Sequence, residues 1–357
     1  MTQDTTKSTM NPTLPLKKPD GEPVRCWVVT NGMAGFEVQG RGVAEALGLE
    51  PEIKRIGPPP PWSWMAPWGP SAPDPAITPP WPDLVIASGR QAIPYARLIK
   101  RRSAKDPNGG SFVAILQDPR ISPEKFDFVW APAHDQLKGP NVLSTLTSPN
   151  RLTPARLAAA AERIAPRIAA LPHPRIAVLI GGANKVYEFT EPAMIRLATQ
   201  LAALTGPQKT DRPGASLMIT TSRRTGAAQE RALRQMLQGH PALIWSPETG
   251  YDSQSDPSNP AGDNPYFDFL GQAEAILVTC DSANMVGEAA ATGKPVHIIE
   301  LEGGSAKFHR FLDSMYAAGV ARPFVGLLES WEYAPLNATQ DIAHAIARAM
   351  NNRWKTR

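Results

Sequence analysis

The chain has 357 residues, 42% hydrophobic and 20% charged, with a formal charge of +4 from 37 basic and 33 acidic side chains. This length exceeds a typical single core and calls for two domains. A mild charge with no basic run beyond Lys100-Arg101-Arg102 excludes a nucleic-acid footprint, and the lack of any apolar run of ~18 residues excludes a spanning helix.

Residues 1–21 are rich in Thr, Lys and Pro, carry no apolar signal core, and are expected to be a disordered tail. Strand and helix signals then alternate, which predicts an α/β protein with two largely parallel sheets. The first half is placed at 22–171. Val24 to Thr30 is its first strand, Gly32 to Gly35 the turn, Glu37 to Leu47 a helix closed by Gly48, and Glu52 to Ile56 a second strand. Residues 57–82 hold Pro58 to Pro61 with Trp62, Trp64, Trp68 and Trp81, too proline-rich for regular structure and too aromatic for a solvated linker. Docked tryptophans are the expectation there, with a partner or lipid surface as the alternative. Further strands are Asp83 to Ser88, Phe112 to Gln117, Phe126 to Trp130 and Asn141 to Ser144, with a helix from Ala92 to Arg102. Thr153-Pro154 caps an Ala-rich helix that Pro166 ends or kinks.

Pro172-His173-Pro174 is the expected boundary, and the second half is placed at 172–335. Its strands are Arg175 to Ile180, Ser216 to Thr221, Leu243 to Trp245, Ala275 to Thr279 and Pro295 to Ile299. Helices are expected from about Glu191 to Leu204, from Arg223-Arg224 to Leu237, over Pro265 to Leu270, after Ser282, and over Lys307 to Ala318. Glu248 to Gly262 reads as a polar loop. The tail at 336–357, with its amphipathic stretch Asp341 to Met350, is expected to be a helix that packs back on the first domain.

Ligands of open α/β sheets sit beyond the carboxyl ends of the strands. In the first half those ends carry Asn31, Gly32 and Gly35, then Arg90, Asp118 with Arg120, and His134 with Asp135. The glycine turn is not G-x-G-x-x-G and has no ribose-binding acid at the expected distance, so a tight βα turn and an acceptor-binding turn both remain open. Glu37, Asp118 and His134 are the acid/base candidates, with a structural histidine as the plain alternative for His134. In the second half the ends carry Gly181-Gly182, Arg223-Arg224 and Asp281-Ser282. Ser282 and the amides of Ala283, Asn284 and Met285 would start a helix whose positive end suits an anion. The paired arginines suit a diphosphate, although cations at a helix start oppose its dipole. Glu288, an acid among Ala, Val, Met and Gly, needs either a partner such as vicinal ribose hydroxyls or an exposed face. Six scattered histidines, two separated cysteines (Cys26 and Cys280, read as reduced, packed thiols of a reducing, cytoplasmic compartment) and no ligand spacing give no metal site, and there is no Walker A or nucleophile-elbow motif.

Thr30 to Gln39, Ile86 to Arg90, Gln117 to Arg120, His134-Asp135 with Asn141-Val142, Ile219 to Arg224, Asn264 to Tyr266 and Asp281 to Val296 occur in order. Together they resemble the family of the plant "elongated mitochondria" fission factors and their bacterial relatives, over about Val24 to Ala321. The resemblance implies two Rossmann-like domains facing across a cleft, as in GT-B glycosyltransferases. By that analogy Glu288 would hold the ribose and Gly182 with Ser282 to Met285 the phosphates of a nucleotide-sugar, helped by Arg223. Glu37 or His134 would serve as base on an unidentified acceptor. The expectation is a metal-independent transferase that needs no cofactor beyond its nucleotide-sugar substrate, cytoplasmic or peripheral at the inner membrane face. A non-catalytic adaptor with a protein or membrane partner and a nucleotide-sugar epimerase are the alternatives.

Overall fold

The structure is a computed structural model that describes residues 15–106, 110–206, 214–251 and 264–356. The start of the expected tail and most of the polar loop after Glu248 lie outside them. Elements in chain order are β1 (Cys26–Thr30), α1 (Ala34–Ala46), β2 (Glu52–Arg55), α2 (Trp62–Met65), β3 (Leu84–Ala87), α3 (Ala92–Ser103), β4 (Phe112–Leu116), β5 (Phe128–Pro132) and β6 (Val142–Thr145). They continue with α4 (Pro154–Glu162), α5 (Pro166–Ala169), β7 (Arg175–Leu179), β8 (Tyr187–Glu188), α6 (Glu191–Thr205), β9 (Ser216–Thr220), α7 (Ala227–Met236) and β10 (Ala242–Trp245). The chain ends with α8 (Tyr266–Gln272), β11 (Ala275–Thr279), α9 (Ala283–Ala290), β12 (Val296–Ile299), β13 (Glu302–Gly303), α10 (Ala306–Ala317), β14 (Ala321–Pro323) and α11 (Ala338–Lys355).

The chain divides into two units. Unit 1 comprises residues 1–145, 149–151 and 338–357, and unit 2 comprises 146–148 and 152–337. The sheet of unit 1 is six-stranded and parallel, in the order β2-β1-β3-β4-β5-β6. Its inner strands β1, β3, β4 and β5 read as apolar runs because both faces are covered, whereas the edge strand β2 is polar and partly exposed. Val28, Leu84, Ile86 and Ala114 pack on one face with α1 and α11, through Val43, Leu47, Ile342 and Ile346. Trp27, Val29, Val85 and Ile115 alternate onto the other face with Tyr95 and Ile99 of α3.

The Pro/Trp stretch closes this second face, and its tryptophans divide. Ala72, Ile77 and Trp81 are buried in the cluster, Trp62 packs against it, and Trp81 meets Trp27 edge-on. Trp64 and Trp68 stay 72% and 64% exposed. Two arginines fasten the stretch from below. Arg90 donates to the carbonyls of Ala66 (3.0 Å) and Ser63 (3.1 Å), and Arg97 to that of Trp68 (3.0 Å).

Unit 2 has a parallel sheet in the order β10-β9-β7-β11-β12-β14. A small antiparallel pair, β8 with β13, is invisible in the sequence because two-residue strands carry no periodicity. Ile176, Val178, Leu217 and Leu277 face α6 and α7, while Ala177, Leu179, Ile276 and Ile298 face α8, α9 and α10. Both units are doubly wound, so the α/β class of two Rossmann-like parallel sheets expected from the sequence is observed.

The boundary differs from the expected one. The chain enters unit 2 between Thr145 and Leu152, not at 172, because α4 packs on α8 of that unit. Gln272 donates to the carbonyls of Ala160 (3.1 Å) and Ala161 (2.6 Å), and Arg163 pairs with Asp268 at 3.0 Å. The Pro172–Pro174 stretch is therefore a loop within unit 2. The C-terminal helix α11 belongs to unit 1, where Ile342, Ala343, Ile346 and Met350 complete the core beside α1. Among the described residues no helix is long and apolar enough to cross a membrane.

Candidate functional site

Each sheet has one point where consecutive connections leave in opposite directions, and such a point opens a crevice at the carboxyl edge. In unit 2 it lies between β7 and β11. The chain leaving β7 supplies Gly181 and Gly182, and the chain leaving β11 supplies Cys280, Asp281 and Ser282.

Five side chains tie this crevice together. The Gly181 amide donates to Thr279 Oγ1 at 2.8 Å and the Gly182 amide to Asp281 Oδ2 at 3.1 Å. Arg224 closes a 2.8 Å ion pair with the same carboxylate, whose side chain is fully buried, and donates to the Gly182 carbonyl at 3.2 Å. Ser222 donates to the Gly181 carbonyl at 2.7 Å and Thr225 at 2.5 Å. Glycine is required at both loop positions by space. A Cβ on Gly181 would overlap the Asp281 carboxyl, and one on Gly182 the backbone carbonyl of Arg224. Asp281, Arg224, Gly181 and Gly182 thus act chiefly on one another and fix the loop.

The groups left to face a ligand are next to these. Ser282 caps α9 by accepting from the Met285 amide at 3.4 Å, which leaves the amides of Ala283 and Asn284 at the positive end of the helix. Arg223 is exposed. The sequence places the two arginines at a helix start. Instead, α7 begins at Ala227 after Gly226, so they occupy the β9–α7 turn and do not oppose a dipole.

Glu288 lies on α9, half-buried, and Tyr266 at the start of α8 donates to its Oε2 at 2.6 Å. Burial pushes the Glu288 carboxyl up from the ordinary 4.5 to about 7, against the opposing effect of the tyrosine bond. The acid that needs a partner therefore has an internal one on one oxygen. Sequence reasoning finds Tyr266 in the Asn264-Pro265-Tyr266 motif but gives it no role. The signal that could have found it is an aromatic hydroxyl opening a helix that must be buried, since such hydroxyls find a partner.

In unit 1 the corresponding point lies between β1 and β3. Asn31 and Gly32 follow β1, and Asn31 reaches across to Gln91 at 3.5 Å. The Gly32 amide bonds Thr30 Oγ1 at 3.0 Å, and Gly35 lies in the first turn of α1. Glu37, 15% exposed, is held by a two-pronged contact from Arg55 (2.9 Å for each bond) and by Arg41 at 3.2 Å. The Arg55 hydrogen bonds hold its carboxyl below the usual range. Asp118 accepts from the Arg120 amide at 2.8 Å and pairs with its guanidinium at 3.3 Å, while Arg120 sits at φ 59°. His134 and Asp135 are 3.9 Å apart, with side chains 10% and 12% exposed. Arg90, expected on the acceptor side, spends its guanidinium on the Pro/Trp stretch instead.

The model of the family described as Mitochondrial fission ELM1 matches residues 34–350. The Mitochondrial fission protein ELM1 of Arabidopsis thaliana is 30% identical over 312 residues, covering 77% of this chain and 66% of that protein. An uncharacterized protein of Rickettsia prowazekii is 29% identical over 178 residues, covering 49% of this chain and 46% of its own. The chain thus spans about two thirds and about half the length of these curated relatives. Among solved structures, the putative UDP-N-acetylglucosamine 2-epimerase of Listeria monocytogenes is similar with a TM-score of 0.50 at 11% identity, over 93% of this chain and 89% of that one. At that identity the likeness is one of fold. On the family match, which runs from the start of α1 into α11, the chain belongs to the mitochondrial fission ELM1 family.

Proposed function

We propose that unit 2 binds a nucleotide-sugar in the β7–β11 crevice, and that the protein transfers the sugar to an acceptor hydroxyl without a metal ion. The carrying observation is the juxtaposition on α9 of a capped, positively polarised N-terminus and a carboxyl held by Tyr266 two turns further on. Diphosphate oxygens match the amides of Ala283 and Asn284 and the exposed Arg223. Vicinal ribose hydroxyls match the Glu288 carboxylate. In the transfer the anomeric C–O bond to phosphate breaks, the acceptor oxygen forms the new bond, and its proton passes to a base. Of the unit 1 candidates, Glu37 is the poorest proton acceptor, because two guanidiniums neutralise it.

A carboxylate that accepts ribose hydroxyls must be ionised, whereas free Glu288 is about half protonated near pH 7. Binding of a nucleoside diphosphate at pH 6.5 is therefore expected to release a proton. Isothermal titration in two buffers of different ionisation enthalpy reads this directly. Glu288→Gln should abolish the release and weaken binding at least tenfold. Binding of nucleoside diphosphates with no proton release, unchanged in Glu288→Gln, would refute this placement of the ribose.

The exposed Trp64 and Trp68 favour a second reading, an adaptor that keeps the nucleotide fold and works through a surface of unit 1. Nucleotide binding without sugar turnover, for any nucleotide-sugar offered, supports that reading. Conversion of a nucleotide-sugar to its epimer, read by product analysis, would place the protein with the epimerases instead.

A further inference from the structure

We propose that the Trp64–Trp68 turn and the basic end of α3 form a docking surface for an anionic lipid bilayer. Within five residues the chain exposes Trp64 (72%), Met65 (37%) and Trp68 (64%). Large aromatic faces left in water are costly, and indole prefers the boundary where its ring is apolar and its N–H remains wet. The turn is not loose. Trp62 packs on the core, Ala72, Ile77 and Trp81 are buried in it, and the Arg90 and Arg97 guanidiniums hold the backbone of residues 63–68 from below. The tryptophans are therefore presented on a rigid base, and inserting them orders little that is not already ordered.

Charge beside the tips selects the partner. Trp68 shares a groove of about 980 Å³ with Arg97, Arg101 and Arg102 of α3. Three arginines against one acid, Asp74, leave a net charge of +2 along its walls (3 − 1). Arg97 is engaged with backbone carbonyls, while Arg101 and Arg102 are exposed at the end of the helix. Exposed arginines beside the exposed Trp68 indole fit a surface that is negative at the headgroups and apolar just beneath. A peptide partner fits less well, because the groove wall carries Pro70, Pro73 and Pro75, whose nitrogens cannot donate to an added strand.

The test is co-sedimentation of the full chain with phosphatidylcholine vesicles, with and without about one third phosphatidylglycerol. Wild type should bind the anionic vesicles at low salt and leave the neutral ones in solution. Trp64→Ala with Trp68→Ala should reduce binding at least tenfold, and Arg101→Gln and Arg102→Gln about fivefold each, with a flatter salt dependence. All four side chains are exposed, so circular dichroism and the melting temperature should not move. Equal behaviour toward neutral and anionic vesicles, or a tryptophan double variant that binds as wild type does, would overturn the proposal. Capture of a soluble acidic peptide with no vesicle binding would overturn it in favour of a protein partner. None of these outcomes depends on the nucleotide crevice of unit 2.

Discussion

Glu288 shows how one side chain couples structure to pH. Its folded carboxyl titrates near 7 against an ordinary 4.5, so between those values the folded state keeps a proton that the unfolded chain has lost. The advantage of the protonated form is complete below about 4.5 and gone above about 7. Stability should fall as pH rises through that window, by at most about 1.4 kcal/mol for each pH step of about one. Glu288→Gln keeps an oxygen for Tyr266 and cannot ionise. The variant is expected to lose this slope and to be more stable than wild type at pH 8, by about 1–3 kcal/mol, as read by urea unfolding at pH 5 and pH 8.

The two adjacent arginines separate just as clearly. Arg224 neutralises a fully buried carboxylate, so Arg224→Ala strands Asp281 with little beyond the Gly182 amide. Breaking a buried pair costs about 3–5 kcal/mol, and the 41% exposure of Arg224 places this one nearer ~2–3 kcal/mol. Exposed Arg223 should change stability by less than ~0.5 kcal/mol when cut to alanine. Only its loss should weaken nucleoside diphosphate binding with the fold intact. Equal destabilisation by both variants in chemical denaturation would contradict the division. Adjacent arginines after a strand were legible in the sequence. Which one turned inward was not, because the deciding carboxylate is 57 residues further on and meets it only through sheet pairing.

Among the elements, the strands were the most legible, because runs such as Leu84 to Ala87 and Ala275 to Thr279 are apolar on both faces and short. Two helix starts were readable for the same local reason, since Thr153 and Ser282 each accept an amide of the first turn; Thr190 and Ser305 cap α6 and α10 in the same way. The start of α7 was not, since Gly226 precedes it without a side-chain cap. The β7–β8 loop depends on close approach between elements. Gly182→Ala should drive the loop off the Arg224 carbonyl and cost about 1–3 kcal/mol, as overpacking of a tight site does. Hydrogen exchange at the Gly181 amide and the Asp281 segment should then accelerate, while β1 and β3 of unit 1 are unaffected.

Across the whole molecule, the instructive element is α11, which returns from the end of the sequence to finish the core of unit 1. Ile346 is fully buried there with Val43 and Leu47, so Ile346→Ala should cost about 2–5 kcal/mol. The loss should appear in amide exchange of β1 and β3, although those strands lie some three hundred residues earlier in the chain. The Pro/Trp stretch has the same lesson. Its buried Ile77 and Trp81 are core residues, so deleting it whole would damage the fold, and point changes at Trp64 and Trp68 are the informative ones.

Strand–helix alternation, twofold doubling of the sheet and the polar tips of the strands are all written locally, in hydrophobic period, caps and glycines, and these determined the class and the motifs on which family membership rests. Membership of α4 in unit 2, the inward turn of Arg224, the tyrosine on Glu288 and the split between buried and exposed tryptophans were decided only in three dimensions. Each depends on which side chains meet across long sequence separations, and local propensity carries no information about that meeting.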